Sequence, residues 1–405
     1  MPRLSRDSVT WLIYALLGAW GYFLYGFGPI VPMLRDENGV SNAVAGLHST
    51  AMAVGSIVGG VMAPALLRRF GRGRAMWASL AGTAVCVVGL TALRGLIFTI
   101  PITLIIMIFG IVLVTGVVAA LNELHGAAAP AAITEANAVA TGAGLVSPFV
   151  IGLAVSAGLG WRPGLLSLVA VAAALVLVAL FFRVRLPAGS VGAARPSGER
   201  RPLGRAYWLT WAMMAVTGSV EAGLSLWAVD LLRAQAGMSA GAAAQAIAAI
   251  VAGMFLGRFG GARLALRVAP IRLYFTALAV SAVGFFLFWT AGSPVTAVVG
   301  LLVLGLGNAM HYPIAIALAL KLTPDQPDRA AAVASYSMGI SFGAGPLVLG
   351  AAADLVGARA AFLIIPLLLV AAAGLALALA RSDRPVPVDH ELRVPVDGVS
   401  LPQTP

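Results

Sequence analysis

Few side chains in this 405-residue sequence could carry chemistry, and most of those sit in apolar surroundings. Glu221 lies about 15 residues into an apolar stretch that begins near Arg205, roughly 22 Å along a helix. A carboxylate at that depth is costly unless it faces water, pairs, or takes a proton, so the position suits proton loading and release. The alternative is a structural carboxylate bonded to neighbouring helices. Arg258 is placed near one end of its own stretch. Its guanidinium could hold an anionic group or an acid bidentately, or it could snorkel to the headgroups or latch the helix end. Asn308, His311 and Tyr312 share one helical face at i, i+3 and i+4, with Pro313 following as a point of discontinuity. His311 could titrate near neutral pH or donate a hydrogen bond; a satisfied packing histidine is the plainer reading. Tyr22 and Tyr25, flanked by Gly21, Gly26, Pro29 and Pro32, are expected to line the same cavity or to anchor at an interface. Trp208, Trp211 and Trp227 read as interfacial belt residues.

The elements that must position these groups are apolar helices. Hydrophobic residues make up 60% of the chain and charged residues 10%, with mean hydropathy +0.97. An ordinary soluble domain carries about 25% charged residues. Continuous apolar runs long enough to cross a bilayer fall at about 9–33, 42–66, 75–93, 98–122, 134–157, 163–183, 206–230, 240–262, 273–291, 295–320, 329–352 and 359–380. They lack the period-two alternation of barrel strands. The fold class is therefore an all-α membrane protein of 12 transmembrane helices. Cys86 is the single cysteine, which rules out a disulfide framework or a cysteine metal site. Neither a metal nor another cofactor is expected. Arg3 and Arg6 precede a run that continues to about Met33 without a small-residue cleavage site, so it reads as a retained first helix.

The chain also repeats itself at an offset of 198. Ser41 pairs with Ser239, Gly55 with Gly253, Gly59 with Gly257, Arg69 with Arg267, Arg74 with Arg272, Pro148 with Pro346 and Gly152 with Gly350. One residue of slip then pairs Gly160 and Arg162 with Gly357 and Arg359. Two pseudo-symmetric six-helix halves follow, entering the membrane from the same side. The expected organisation is a bundle over 1–183, a Pro- and Gly-containing cytoplasmic linker over 184–205, a second bundle over 206–380 and a disordered cytoplasmic tail over 381–405. Of the 26 basic residues, Arg258 lies within a span and Arg35, Arg94, Arg162, Arg233 and Arg359 fall on one side; the other twenty fall on the side of the N-terminus. This asymmetry places both termini in the cytoplasm and accounts for the net charge of +11 without a nucleic-acid partner. Glu123 and Glu135, at the cytoplasmic ends of spans four and five, read as gate or surface residues.

The loop after the second span, Leu67-Arg68-Arg69-Phe70-Gly71-Arg72-Gly73-Arg74, resembles the Gly-x-x-x-Asp-Arg/Lys-x-Gly-Arg-Arg/Lys pattern of the major facilitator superfamily. Arg69, Gly71 and Arg72 match it and are expected to form the conformational loop. Pro64 stands at the first Gly and Arg68 at the Asp, so the family's Asp-centred contact to the other half is not carried over. The fifth span, from Gly144 through Ser147 and Pro148 to Gly152, resembles the family's antiporter Gly-Pro pattern. Its copy Gly345-Pro346 to Gly350 favours a packing role, since small residues let helices approach closely. Glu221, Gly257-Arg258 and Gly307 to Pro313 are more faintly reminiscent of the fucose-permease-like group, with no sugar specificity implied.

The resemblance implies a secondary transporter of the bacterial cytoplasmic membrane, moving a small solute by alternating access with proton coupling, as symporter or antiporter. A monomer embedded in lipid is expected, and a drug or metabolite exporter of the same fold is the alternative. No nucleotide-binding Gly-x-x-x-x-Gly-Lys-Ser/Thr loop is present, and Lys321 is the only lysine. The four histidines form no catalytic cluster, which argues against a membrane enzyme. The linker and tail are too short for a receptor's output domain.

Overall fold

A computed structural model describes residues 6–187, 202–265, 267–323 and 327–382. Twelve of its helical segments are long and apolar enough to cross a membrane. The first half consists of α1 (Ser8–Asn38), α2 (Asn42–Phe70), α3 (Arg72–Ala92), α4 (Leu96–His125), α5 (Ala129–Ser156) and α6 (Trp161–Phe181). The second consists of α7 (Arg205–Gln235), α8 (Ala240–Ala246) running on into α9 (Ala248–Ala265), α10 (Pro270–Trp289), α11 (Pro294–Lys321), α12 (Pro327–Val356) and α13 (Ala358–Ala361) leading into α14 (Ile364–Ser382). The starts of α1 and α7 and the close of α14 share one end of the bundle, here the terminal end; the opposite end is the far end.

Several helices outrun their apolar stretches. The first was expected to stop near residue 33, yet α1 continues through Arg35, Asp36 and Glu37 to Asn38. Those polar residues are paired with other helices, and this lets the helix carry charge beyond its hydrophobic body. At the other end of α1, Asp7 caps the helix by accepting from Thr10 N at 2.8 Å. Hydrogen bonds from the Thr10 hydroxyl and N–H hold the Asp7 carboxyl below its ordinary range.

The repeat recurs as geometry. Ser41 and Ser239 both cap the helices that follow them, through side-chain bonds to Val44 N and Ala242 N. Gly59 on α2 lies against the Ile108 carbonyl of α4, and Gly257 on α9 lies against the Leu306 carbonyl of α11. A β-carbon at 257 would sit 2.6 Å from that oxygen, so only glycine permits the approach. Gly160 and Gly357, the pair matched after the slip, open their helices at φ 77° and 82°, where a side chain would be strained.

The Gly-Pro segments pack between the halves. Gly152 of α5 meets Gly241 of α8, and Gly350 of α12 meets Asn42 of α2. Within the linker, Leu186 and Pro187 lie against Gly73, whose N–H donates to the Pro187 carbonyl at 3.2 Å. Residues 188–201 and 383–405, and with them most of the expected linker and tail, lie outside the described residues.

Candidate site between the two halves

Four helices bring polar side chains together between the halves. Tyr25 is on α1 and Glu221 on α7, roughly 25 and 24 Å along their helices from the terminal end. Thr141 comes from α5 and Arg258 from α9. Arg258 Nη1 donates to Thr141 Oγ1 at 3.0 Å, a hydrogen bond that crosses from one half to the other. The same guanidinium lies near the Tyr25 hydroxyl and near Glu221, without closing an ion pair with the acid. Tyr25 is seated by Gly144 of α5, where a β-carbon would collide with its ring. Gly28, one turn further along α1, lies against the Ser225 carbonyl of α7 and brings the two helices close beside Glu221.

Arg258 lies deeper than its sequence position suggested. The helix was expected to end near residue 262, which left Arg258 close to the headgroups. Instead α9 runs to Ala265, placing Arg258 about 10 Å inside the helix end. Tyr25 lies between the two charges and interacts with both Arg258 and Glu221. A half-buried guanidinium that bonds one hydroxyl and lies near a phenol and a carboxylate has spare donor capacity.

The other expected site residues are placed elsewhere. Tyr22 is 5% exposed and turns into the first half, its hydroxyl 2.6 Å from Ser167 Oγ and 3.4 Å from the Gly164 carbonyl of α6. Asn308 and His311 face α10: Ser281 Oγ donates to Asn308 Oδ1 at 3.2 Å and lies 3.4 Å from His311 Nε2, and the Tyr274 ring packs on the imidazole. They sit at a helix–helix seam inside the second half, and no contact joins them to Glu221 or Arg258. Tyr312 packs, partly buried, against the core. Pro313 leaves α11 continuous. Of the tryptophans read as belt residues, Trp208 is exposed, whereas Trp227 Nε1 donates to the Pro346 carbonyl at 2.8 Å and Trp211 Nε1 to the Val333 carbonyl at 3.0 Å. These two indoles serve as joints between α7 and α12.

In the loop after α2, Gly71 adopts φ 79° at the junction with α3, a conformation that explains the glycine. Arg72 is buried and pairs with Glu123 of α4, while Arg69 is exposed beside the Phe70 ring. The Arg72–Glu123 pair therefore lies within one half. Glu135 also has a partner, Arg6, at 2.5 Å.

Sequence reasoning missed the polar latch at the far end. Arg35 of α1 grips Asp230 of α7 bidentately, at 2.5 and 3.0 Å, and Arg233 of α7 reaches back to Asp36 at 2.9 Å. Asp354 of α12 accepts from the side chain and N–H of Asn42 and from Ala43 N at the start of α2. A signal was available: Arg35 and Arg233 are themselves separated by 198 residues. Among the described residues no ion pair joins the halves at the terminal end. No group of three or more His, Cys, Asp or Glu able to hold a metal occurs among them either.

Two repeat-related six-helix halves, latched at one end and holding half-buried charge between them, define a membrane transporter. The family model of the Major Facilitator Superfamily matches residues 10–270 and again 225–397, and the chain belongs to that family. An uncharacterized MFS-type transporter of Pseudomonas aeruginosa (strain UCBPP-PA14) is 35% identical over 136 residues, a match covering 32% of this chain and 33% of that relative's length. The fold is similar to that of a bacterial homologue of the human lysosomal transporter Spinster, solved inward-facing and unoccupied: TM-score 0.74 and 16% identity, over 95% of this chain and 100% of the other. It is also similar to the nucleoside transporter NupG, with TM-score 0.75 and 12% identity over 92% and 98% of the two chains. A bacterial homologue of the human drug peptide transporters gives TM-score 0.73 and 15% identity over 92% and 98%.

Proposed function

We propose that this protein is a proton-coupled secondary transporter working by alternating access, with Glu221 as the coupling acid and Tyr25, Thr141 and Arg258 as walls of the substrate site. The observation that carries the reading is the cluster itself: a half-buried acid and a half-buried guanidinium of the second half, held against Tyr25 and Thr141 of the first. A structural carboxylate would be expected to find a close partner, and Glu221 has no ion pair within 4 Å among the described residues. The basic asymmetry of the loops supports a cytoplasmic terminal end. With the ion pairs that join the halves among the described residues lying at the far end, this reading takes the state to be closed to the outside and poised to open inward. Residues 1–183 and 206–380 act as the two rocking bodies.

The test is transport in proteoliposomes under an imposed proton gradient. Glu221→Gln mimics the protonated acid and cannot cycle, so gradient-driven accumulation is expected to vanish while solute exchange persists. Accumulation at the wild-type level would overturn the assignment.

A further inference from the structure

We infer that the solute is a small monovalent anion, a monocarboxylate or sulfonate, and that it moves together with one proton as an electroneutral pair; this rests on the site proposed above. Among the described residues the charged side chains that meet between the halves away from the far end are Glu221 and Arg258, and Tyr25 and Thr141 add only neutral hydroxyls. With Glu221 ionised the site carries no net charge. Once Glu221 takes a proton, Arg258 is left as a half-buried cation whose contacts are hydroxyls, an arrangement that favours the arrival of a counter-ion.

An anion resolves the deficit. Arg258 spends one Nη1 bond on Thr141 at 3.0 Å, and the rest of its planar fork matches the two oxygens of a carboxylate or sulfonate. Occupancy by proton plus anion restores zero net charge, as does the empty site. Occupancy by either one alone leaves an uncompensated charge of one sign or the other. Each ligand therefore raises the affinity for its companion, and the linkage is reciprocal. A neutral solute would leave the protonated site at +1, and a cation would raise it further. The groups acting on Glu221 are Arg258 from α9 and Tyr25 from α1; His311 and Asn308 are held away at the α10–α11 seam.

The experiment has a binding arm and a flux arm. In detergent, thermal unfolding of the purified protein is followed with lactate, pyruvate or ethanesulfonate, against glucose, uridine and choline. At least one anion is expected to stabilise the wild type, with affinity rising up to about tenfold per pH unit as Glu221 takes its proton. Glu221→Gln is expected to bind that anion with no such pH dependence. Arg258→Gln is expected to lose tenfold or more, with Arg258→Lys retaining part, and the ligand-free unfolding temperature of each variant reports whether it folds. In proteoliposomes, an inward gradient of the anion is expected to acidify the lumen, beyond protein-free vesicles, at a rate indifferent to a potassium–valinomycin clamp. Stabilisation and proton movement with a neutral or cationic solute only would overturn the anion assignment while leaving proton-coupled transport intact. So would silence of every anion in both arms. A rate that follows the clamped potential would overturn electroneutrality. Wild-type proton movement in Glu221→Gln would instead overturn the coupling role of Glu221.

Discussion

Replacing Asp230 with Asn tests whether the far-end latch sets the resting state. Arg35 and Asp230 form two charge-assisted hydrogen bonds, with side chains only 17% and 14% exposed. Asparagine keeps the shape and one acceptor but removes the charge. Bonds to a charged partner contribute about 1.5–3 kcal/mol each and neutral ones about 0.5–1.5, so the substitution removes roughly 2 kcal/mol over the two bonds. Arg35 keeps Asp36 at 2.6 Å, so it is not left orphaned. The bonds exist only while the far end is closed, and the loss falls on that state alone. At 1.4 kcal/mol per tenfold, the far-end-open population is expected to grow about 30-fold relative to the closed one. Leu159 and Leu355 are exposed at the far ends of the two halves. Spin labels on cysteines at those positions, with Cys86 changed to Ala, would report the distance between halves. The Arg35→Asp/Asp230→Arg exchange is expected to restore the closed distance in part. A distance distribution unchanged in Asp230→Asn would refute the reasoning and reduce the pair to surface decoration.

Two further substitutions separate packing from function. Gly257→Val is expected to lower the unfolding temperature, since a side chain there meets the Leu306 carbonyl and overpacking costs about 1–3 kcal/mol; Gly60→Val, with open space around it, is expected to be neutral in the same thermal melt. His311→Ala is expected to cost about 1–2 kcal/mol of stability through the lost Ser281 and Tyr274 contacts while leaving ligand affinity unchanged. Weakened binding at an unchanged unfolding temperature would return that helix face to the site.

The sequence revealed the frame more readily than the site because different physics governs the two. Span number follows from the length of apolar runs, and the repeat from offsets between glycines, prolines and arginines, all local properties. The rotation of each helix about its axis is not local. On a soluble helix an apolar stripe marks the buried side, but a membrane helix is apolar all round and leaves the facing undetermined. Tyr22 and Tyr25 show the consequence. They are three residues apart on α1, yet one turns to Ser167 of α6 and the other to Arg258 of α9. What separates them is the seat at Gly144, a contact 119 positions from Tyr25 in the chain. For the same reason the shared face of Asn308 and His311 did not reveal that the hydroxyl engaging them belongs to α10. Charged residues at the helix ends were misread for a related reason, since a hydropathy window treats Arg35 to Glu37 as the end of a helix that their partners in fact prolong.

The repeat also indicates what each residue is for. Positions that match across the offset of 198 build the frame: Gly59 and Gly257 at the helix crossings, Ser41 and Ser239 at the caps, Arg35 and Arg233 in the latch. Positions proposed for chemistry break the match. Glu221 corresponds to Phe23, Arg258 to Gly60, Tyr25 to Gly223 and Thr141 to Gly339. Phe23 is fully buried in an aromatic stack with Trp20 and Phe27, so the first half fills with packing the place where the second holds an acid. This division suits alternating access. Two like halves can rock about a shared interface with similar contacts in either direction, because the frame is nearly the same on both sides of the axis. A solute and a proton must be held by one set of groups at one place, and a symmetric pair of acids there would bury two like charges. Confining the acid and the guanidinium to the second half, and answering them with hydroxyls from the first, keeps the charge single and lets each half's movement change what surrounds it.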